Sequence, residues 1–174
     1  MTLPIEIEIW QGEIADLEVD AIIVPANESL FMTGPIGAAV KRRAGDAVER
    51  EAVNQGPVAA GNVVVTGGGD LAASWIVHAV AVGHDLLPDT ERLERALGAA
   101  FDAAGAMTLT RIATTPLGLE RGVFPPDEAA AAFLRVVASR AELLARMRSL
   151  VVTVTSTAEA QAFRAALEAV RATA

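Results

Sequence analysis

The chain has 174 residues, 52% hydrophobic and 4% aromatic, with no tyrosine and no cysteine. That length suits one domain with a substantial core, and the hydrophobic content excludes global disorder. A formal charge of −8 and the shortage of rings argue against a nucleic-acid partner, and the missing cysteines remove disulfides, thiol catalysis and cysteine metal sites.

The opening "MTLPIEIEIW" has neither the basic start nor the apolar run of a signal peptide. No stretch approaches the ~20 apolar residues of a membrane helix. A cytoplasmic protein without membrane contact is expected. "PIEIEIW" alternates apolar and acidic residues, as a strand with one wet face does. "VDAIIVPA" is apolar on both faces, as in a strand covered by helices on each side. Helices follow over 36–44 and 46–55, divided at Gly45. "NVVVTG" and "WIVHAVAVG" read as buried strands, with "GGGD" as the turn between them. A helix over 90–105 has Asp89 or Thr90 as its cap and Leu93, Ala96, Leu97 and Phe101 on its apolar face. "TRIATTPLG" is a strand, and a helix over 126–147 opens with Pro, Asp and Glu. "LVVTVTS" is the sixth strand, and Ser156 or Thr157 caps the last helix, with Glu159 in its first turn. This order predicts a single domain over 1–174, an α/β fold built as a three-layer α/β/α sandwich on a six-stranded mixed sheet.

In such sheets ligands bind at loops leaving the carboxyl ends of strands. Four stretches qualify: Gly12-Glu13-Ile14, the loop after Asn27, "TTPLGLERGVFPP" and "VTSTAE". The segment "VPANESLFMTGPIGAAVKRRAG" runs strand, small-residue loop, helix, which presents backbone N–H groups to a phosphate. Pro35 sits where such a loop most needs a donor, and proline has none. His78 lies inside an apolar strand and reads as a hydrogen-bonded core histidine. His84-Asp85 reads as a loop pair rather than a dyad, and Lys41-Arg42-Arg43 as the solvated face of a helix. With two histidines and no cysteine, neither a metal nor a cofactor is expected.

"QGEIADLEVDAIIVPAN" resembles the opening of the macro domain, an ADP-ribose-binding module, where the usual pattern is G-D-I-T, a spacer, then V-D-A-I-V-N-A-A-N. "SLFMTGPIGAAVKRRAG" is similar to L-x-x-G-G-G-V-x-G-A-I-x-R-A-A-G, and "PLGLERGVFPPDEAA" to A-I-G-T-G-x-x-G-x-P-x-x-x-A-A. "QGPVAAGNVVVTGGGDLAASWIVHAV" fits the stretch between them. The resemblance runs over roughly residues 5 to 165 in the right order.

Carried over residue by residue, the resemblance implies that Glu13 replaces the Asp that meets the adenine amino group. Asn27 stands at the second Asn of N-A-A-N, near the distal ribose, and is the catalytic candidate should the protein be active. Otherwise Asn27 reads as a turn asparagine bonded to its own backbone. The implied ligand-binding set is Glu13, Ile14, Asn27, Gly34, Ile36, Gly37, Gly118, Leu119, Glu120, Arg121, Gly122, Val123 and Thr155. Three glycines of the first loop have become Thr33-Gly34-Pro35, and G-T-G has become Gly118-Leu119-Glu120. Glu120-Arg121 reads either as a new ligand contact or as a surface ion pair. Thr155 stands where an adenine-stacking aromatic is frequent. The expectation is a nucleotide-type or other small anionic ligand, ADP-ribose or a derivative, held weakly through the N–H groups near Ile36 and Gly122, with little or no hydrolase activity. Two alternatives stand beside it: an ADP-ribosyl hydrolase, and a non-enzymatic scaffold associating through its Ala-rich C-terminal helices.

Overall fold

The computed structural model describes residues 3–83, 89–120, 122 and 124–173. His84, Asp85, Arg121 and Val123 lie outside the described residues. The strands are β1 (Ile7–Gln11), β2 (Ala21–Asn27), β3 (Val63–Gly67), β4 (Trp75–Val82), β5 (Arg111–Thr114) and β6 (Ser149–Val154). The helices are α1 (Pro35–Ala44), α2 (Asp46–Asn54), α3 (Thr90–Ala106), α4 (Pro126–Ser139), α5 (Ala141–Leu144) and α6 (Thr157–Ala172), with a 3-10 turn at Ile14–Asp16.

The strands form one sheet in the order β1-β6-β5-β2-β4-β3. Every neighbouring pair is parallel except β3 with β4, so the sheet is mixed. Successive residues of β2 serve opposite faces. Ile23 joins a core made with α3, α4 and α6, whereas Ile22 and Val24 join one made with α1, α2 and the 3-10 turn. A strand buried on both faces needs this unbroken apolar run. β5 pairs with β2 only as far as Ile23, so Pro25 falls where β2 is laddered to β4 alone, and a proline is tolerated there.

The expected long helix over 126–147 is in fact two. α4 ends at Ser139, and Arg140 leaves helical geometry at φ −117° and ψ 23°. Its guanidinium grips both oxygens of Asp102 on α3, at 2.8 and 3.1 Å. This side-chain clamp and the packing of Leu143 against Gly105 on α3 turn the chain, and the apolar periodicity does not encode either. The caps are Asp89, which accepts from the N–H groups of Glu91 and Arg92, and Ser156, which accepts from that of Glu159.

At the edge where β2 and β5 begin, the Asp20 carboxylate accepts the N–H groups of Thr110 (2.9 Å) and Arg111 (2.8 Å) and the Arg111 guanidinium (3.1 Å). Burial pushes its pKa up, but these hydrogen bonds together outweigh burial and hold it below the usual value. His78 is 1% exposed, and its Nε2 lies 2.9 Å from the Thr66 hydroxyl across the β3–β4 pair. Burial lowers its pKa from 6.5 to about 4, so the folded protein holds it neutral.

Two outcomes follow for stability. Asp20→Ala strands two backbone donors and should cost about 2 kcal/mol in urea denaturation. The unfolded chain protonates His78 more readily than the folded one does, so its contribution of about 3 kcal/mol is complete above pH 6.5 and is lost as pH falls toward 4. His78→Leu should abolish the part of the stability slope between pH 6.5 and 5 that this imidazole causes.

Candidate functional site

Parallel pairing brings the carboxyl ends of β1, β6, β5 and β2 to one edge of the sheet. The chain leaving each strand there builds a cleft of about 500 Å³. Its walls are Ile14 and Ala15 of the 3-10 turn, Ile36, Ala39 and Val40 of α1, and Pro116 and Leu119 after β5. Thr115, Thr153 and Thr155 line it from the ends of β5 and β6, and Glu159 from the first turn of α6. Gly12, beside Glu13, has no room for a side chain, because a Cβ there would overlap the Trp10 indole. A second cleft of about 290 Å³ adjoins it, lined by Asn27, Ser29, Phe31, Gly34, Gly37 and Gly83 among others.

Glu120 borders both clefts. Its Oε1 accepts the Ile36 N–H at 2.8 Å. Gly34 is the N-cap of α1 and offers no side chain, and Pro35 opens the helix without a donor. Ile36 therefore carries the first N–H of the helix, where anions are favoured by the free donors and the helix dipole. The carboxylate lies close over Gly34, whose Cβ, if it had one, would stand 3.3 Å from Oε2. A side chain 84 positions away in sequence thus answers the leading N–H of this helix.

The neighbouring side chains are similarly engaged. Asn27 Nδ2 donates to the Phe31 carbonyl (3.1 Å), and its Oδ1 accepts from Ser29 Oγ (2.7 Å), so this side chain closes its own loop. The Gly122 N–H donates to the Leu119 carbonyl at 2.9 Å. Glu13 lies 4.0 Å from the Arg43 guanidinium, which also pairs with Asp16 at 2.6 Å. The Thr155 N–H donates to Glu159 Oε2 at 2.8 Å. Glu49 accepts the Met32 N–H (2.8 Å) and the Lys41 ammonium (2.7 Å), tying the loop before α1 to both α1 and α2. The Lys41 ammonium first, then the Met32 N–H, hold the Glu49 carboxyl below its ordinary range against the effect of burial.

Of the expected residues, Glu13, Ile14, Ile36, Leu119, Glu120 and Thr155 line the larger cleft, and Asn27, Gly34 and Gly37 the smaller. Gly118 and Gly122 line neither. Gly118 has φ +90° and leaves no space for a Cβ between Leu93 and Phe124, so its conformation and packing both require glycine. Arg42, expected on the solvated helix face, borders the larger cleft. Thr115 and Phe31 fall in stretches expected to bind a ligand without being singled out, and Thr153 and Glu49 carried no expectation. For the two threonines the signal was their place at the ends of β5 and β6. Among the described residues no group of three or more His, Asp or Glu could hold a metal, and no helix is long and apolar enough to cross a membrane.

A family model described as the Macro domain matches residues 23–133. A protein of Aquifex aeolicus is 29% identical over 133 residues, 76% of this chain and 81% of its own. A Mycobacterium tuberculosis protein is 32% identical over 165 residues, 95% of this chain but 45% of its own, so the chain spans about half the length of that relative. Among solved structures, the Oceanobacillus iheyensis macrodomain with ADP aligns at TM-score 0.82 and 24% identity, over 97% of this chain and 93% of that one. A variant of the same macrodomain with ADPR aligns at 0.83 and 22% identity, over 95% and 94%. The Trypanosoma brucei macrodomain in complex with ADP aligns at 0.84 and 21% identity, over 92% and 68%. With the model matching well over half its length, and a mixed six-stranded sheet between helical layers beneath the match, the chain belongs to the macro domain family.

Proposed function

We propose that this protein is a macro domain that takes nucleotide-type diphosphates such as ADP-ribose only weakly, with little or no hydrolase activity. Macrodomains of the same fold hold ADP and ADPR, so a ligand of that type is the natural starting point. One observation carries the reading: the Glu120 carboxylate already sits on the Ile36 N–H. A diphosphate lying over α1 must displace this charge-assisted bond and then share the space with the displaced carboxylate. At ~5 Å and an effective dielectric of ~20, one phosphate charge against one carboxylate costs about 3 kcal/mol, and rotation of Glu120 toward water reduces that figure. The donor missing at Pro35 removes roughly 1.5–3 kcal/mol more where a charged oxygen would have met it. These terms together weaken binding by about a hundredfold or more, since ~1.4 kcal/mol is a factor of ten.

The low-activity part rests on Asn27. Turnover of a bound ADP-ribose would need this side chain to meet the distal ribose or a water, and its bonds to Phe31 and Ser29 hold it to the loop of residues 27–31 with one N–H and one acceptor lone pair left over. Among the described residues of the two clefts no histidine stands by to activate water, and the nearby carboxylates Glu13, Glu120 and Glu159 have partners of their own.

Calorimetry with ADP-ribose tests the first part. The unmodified chain should bind feebly, and Leu119→Thr combined with Glu120→Gly should bind at least tenfold more tightly. Tight binding before substitution, or no gain after it, overturns the reading. For the second part, release of ADP-ribose from a modified protein should stay near background and be unaffected by Asn27→Ala. Robust release that this substitution abolishes establishes a hydrolase instead.

A further inference from the structure

We propose that the free edge of β3 is a pairing surface for a second copy of this chain, and that Glu51 and Gln55, at the end of α2, keep it closed. This is independent of what the clefts bind.

The strand geometry comes first. β3 is the last strand of the sheet and pairs only with β4. The antiparallel register sets Val64 opposite His78 and Thr66 opposite Ile76. Beyond these pairs, the Val80 N–H donates to the Asn62 carbonyl at 2.9 Å, and the Gly68 N–H to the Ser74 carbonyl at 2.8 Å. Bonded positions alternate along an antiparallel strand. Residues 62, 64, 66 and 68 therefore turn their peptide groups to β4, and Val63, Val65 and Gly67 turn theirs outward.

Such an edge is a template for another strand. Its sequence, "NVVVTG", has three valines and a threonine, no charge and no proline, which favours pairing. The opposite edge of the sheet differs, because the exposed carboxylates of Glu6 and Glu8, beside and within β1, discourage a partner. The β3 edge is also complementary to itself. Two-fold antiparallel pairing centred on Val65 sets Val63 of one copy against Gly67 of the other, so one patch serves both copies.

The groups this pairing needs are already taken. The Gly67 N–H donates to the Glu51 carboxylate, at 3.2 Å to Oε2 and 3.3 Å to Oε1. Gln55 Nε2 donates to the Val65 carbonyl at 3.0 Å. Val65 against Val65 needs that carbonyl in both copies, and Gly67 against Val63 needs that N–H in both. An incoming strand must displace both side chains to gain more than the bond from the Val63 N–H to the Gly67 carbonyl. The apolar seat of α2 is made by Val48, Ala52 and Val53, so the exposed Glu51 and Gln55 add edge contacts rather than core.

Glu51→Ala combined with Gln55→Ala, followed by sedimentation equilibrium and amide hydrogen exchange, tests this. Alanine is the better helix former at both positions, so α2 should persist. The double variant should self-associate at least about tenfold more tightly than the unmodified chain, a change that releasing two modest hydrogen bonds per copy allows. The outward amides of Val63 and Val65 should exchange freely in the unmodified chain and slow as the concentration of the double variant rises. Val65→Pro, added to the double variant, removes an outward N–H without losing a bond to β4 and should restore the monomer. A double variant no more associated than the unmodified chain overturns the inference. So does association that leaves those two amides unprotected, or an unmodified chain that already protects them as its concentration rises. Gln55→Ala alone, the milder change, should slow Val65 exchange to a smaller degree. Absence of that slowing overturns the inference even where the double variant fails to fold.

Discussion

A helix that begins inside a cleft must have its first N–H groups answered, and in this molecule the answer comes from the protein itself. Pro35 leaves α1 with Ile36 as its leading donor, and Glu120 supplies the acceptor. That one bond joins the loop after β5 to the start of α1 and stands between two clefts of unequal size. It also places a carboxylate at the N-terminus of α1, the end of a helix that favours negative charge.

The scaffold around that bond is tied together at separate points. Glu49 clamps the approach to α1 through the Met32 N–H and Lys41. Asp20 staples the starts of β2 and β5 at the far edge. Parallel strands between these points align their carboxyl ends, so four loops from distant parts of the sequence arrive at one place. The site is therefore a product of topology first and of individual side chains second.

This division explains what could be read from the sequence. Strands such as "VDAIIVPA" are unmistakable because burial on both faces demands apolar residues throughout, and the helix over 90–105 shows its apolar stripe and its Asp89 cap directly. The family pattern then located the loops. The break at Arg140 was not legible, since it depends on Asp102, 38 positions earlier, and local periodicity runs straight through it. The Glu120–Ile36 bond spans 84 positions and has no local signature, so Glu120 read equally well as a ligand contact or a surface ion pair. Asn27 shows the opposite limit: its bonds to Ser29 and Phe31 are wholly local, but a turn asparagine and a ribose-binding asparagine look the same in a sequence. Thr115 could be placed at a strand end but not recognised as unpaired, because an orphan hydroxyl is a property of everything around it.

The close seating of Trp10 against Gly12 has a practical consequence. The chain contains two tryptophans, and the sheet puts them at opposite edges. Trp10 comes near the end of β1, packed under the glycine that borders the larger cleft, whereas Trp75 opens β4 beside Ala21 at the far edge. The protein therefore carries its own optical probe and its own reference. Trp10 does not line the cleft but packs against Gly12, which does, so a ligand that moves this glycine shifts the emission of one indole and not of the other.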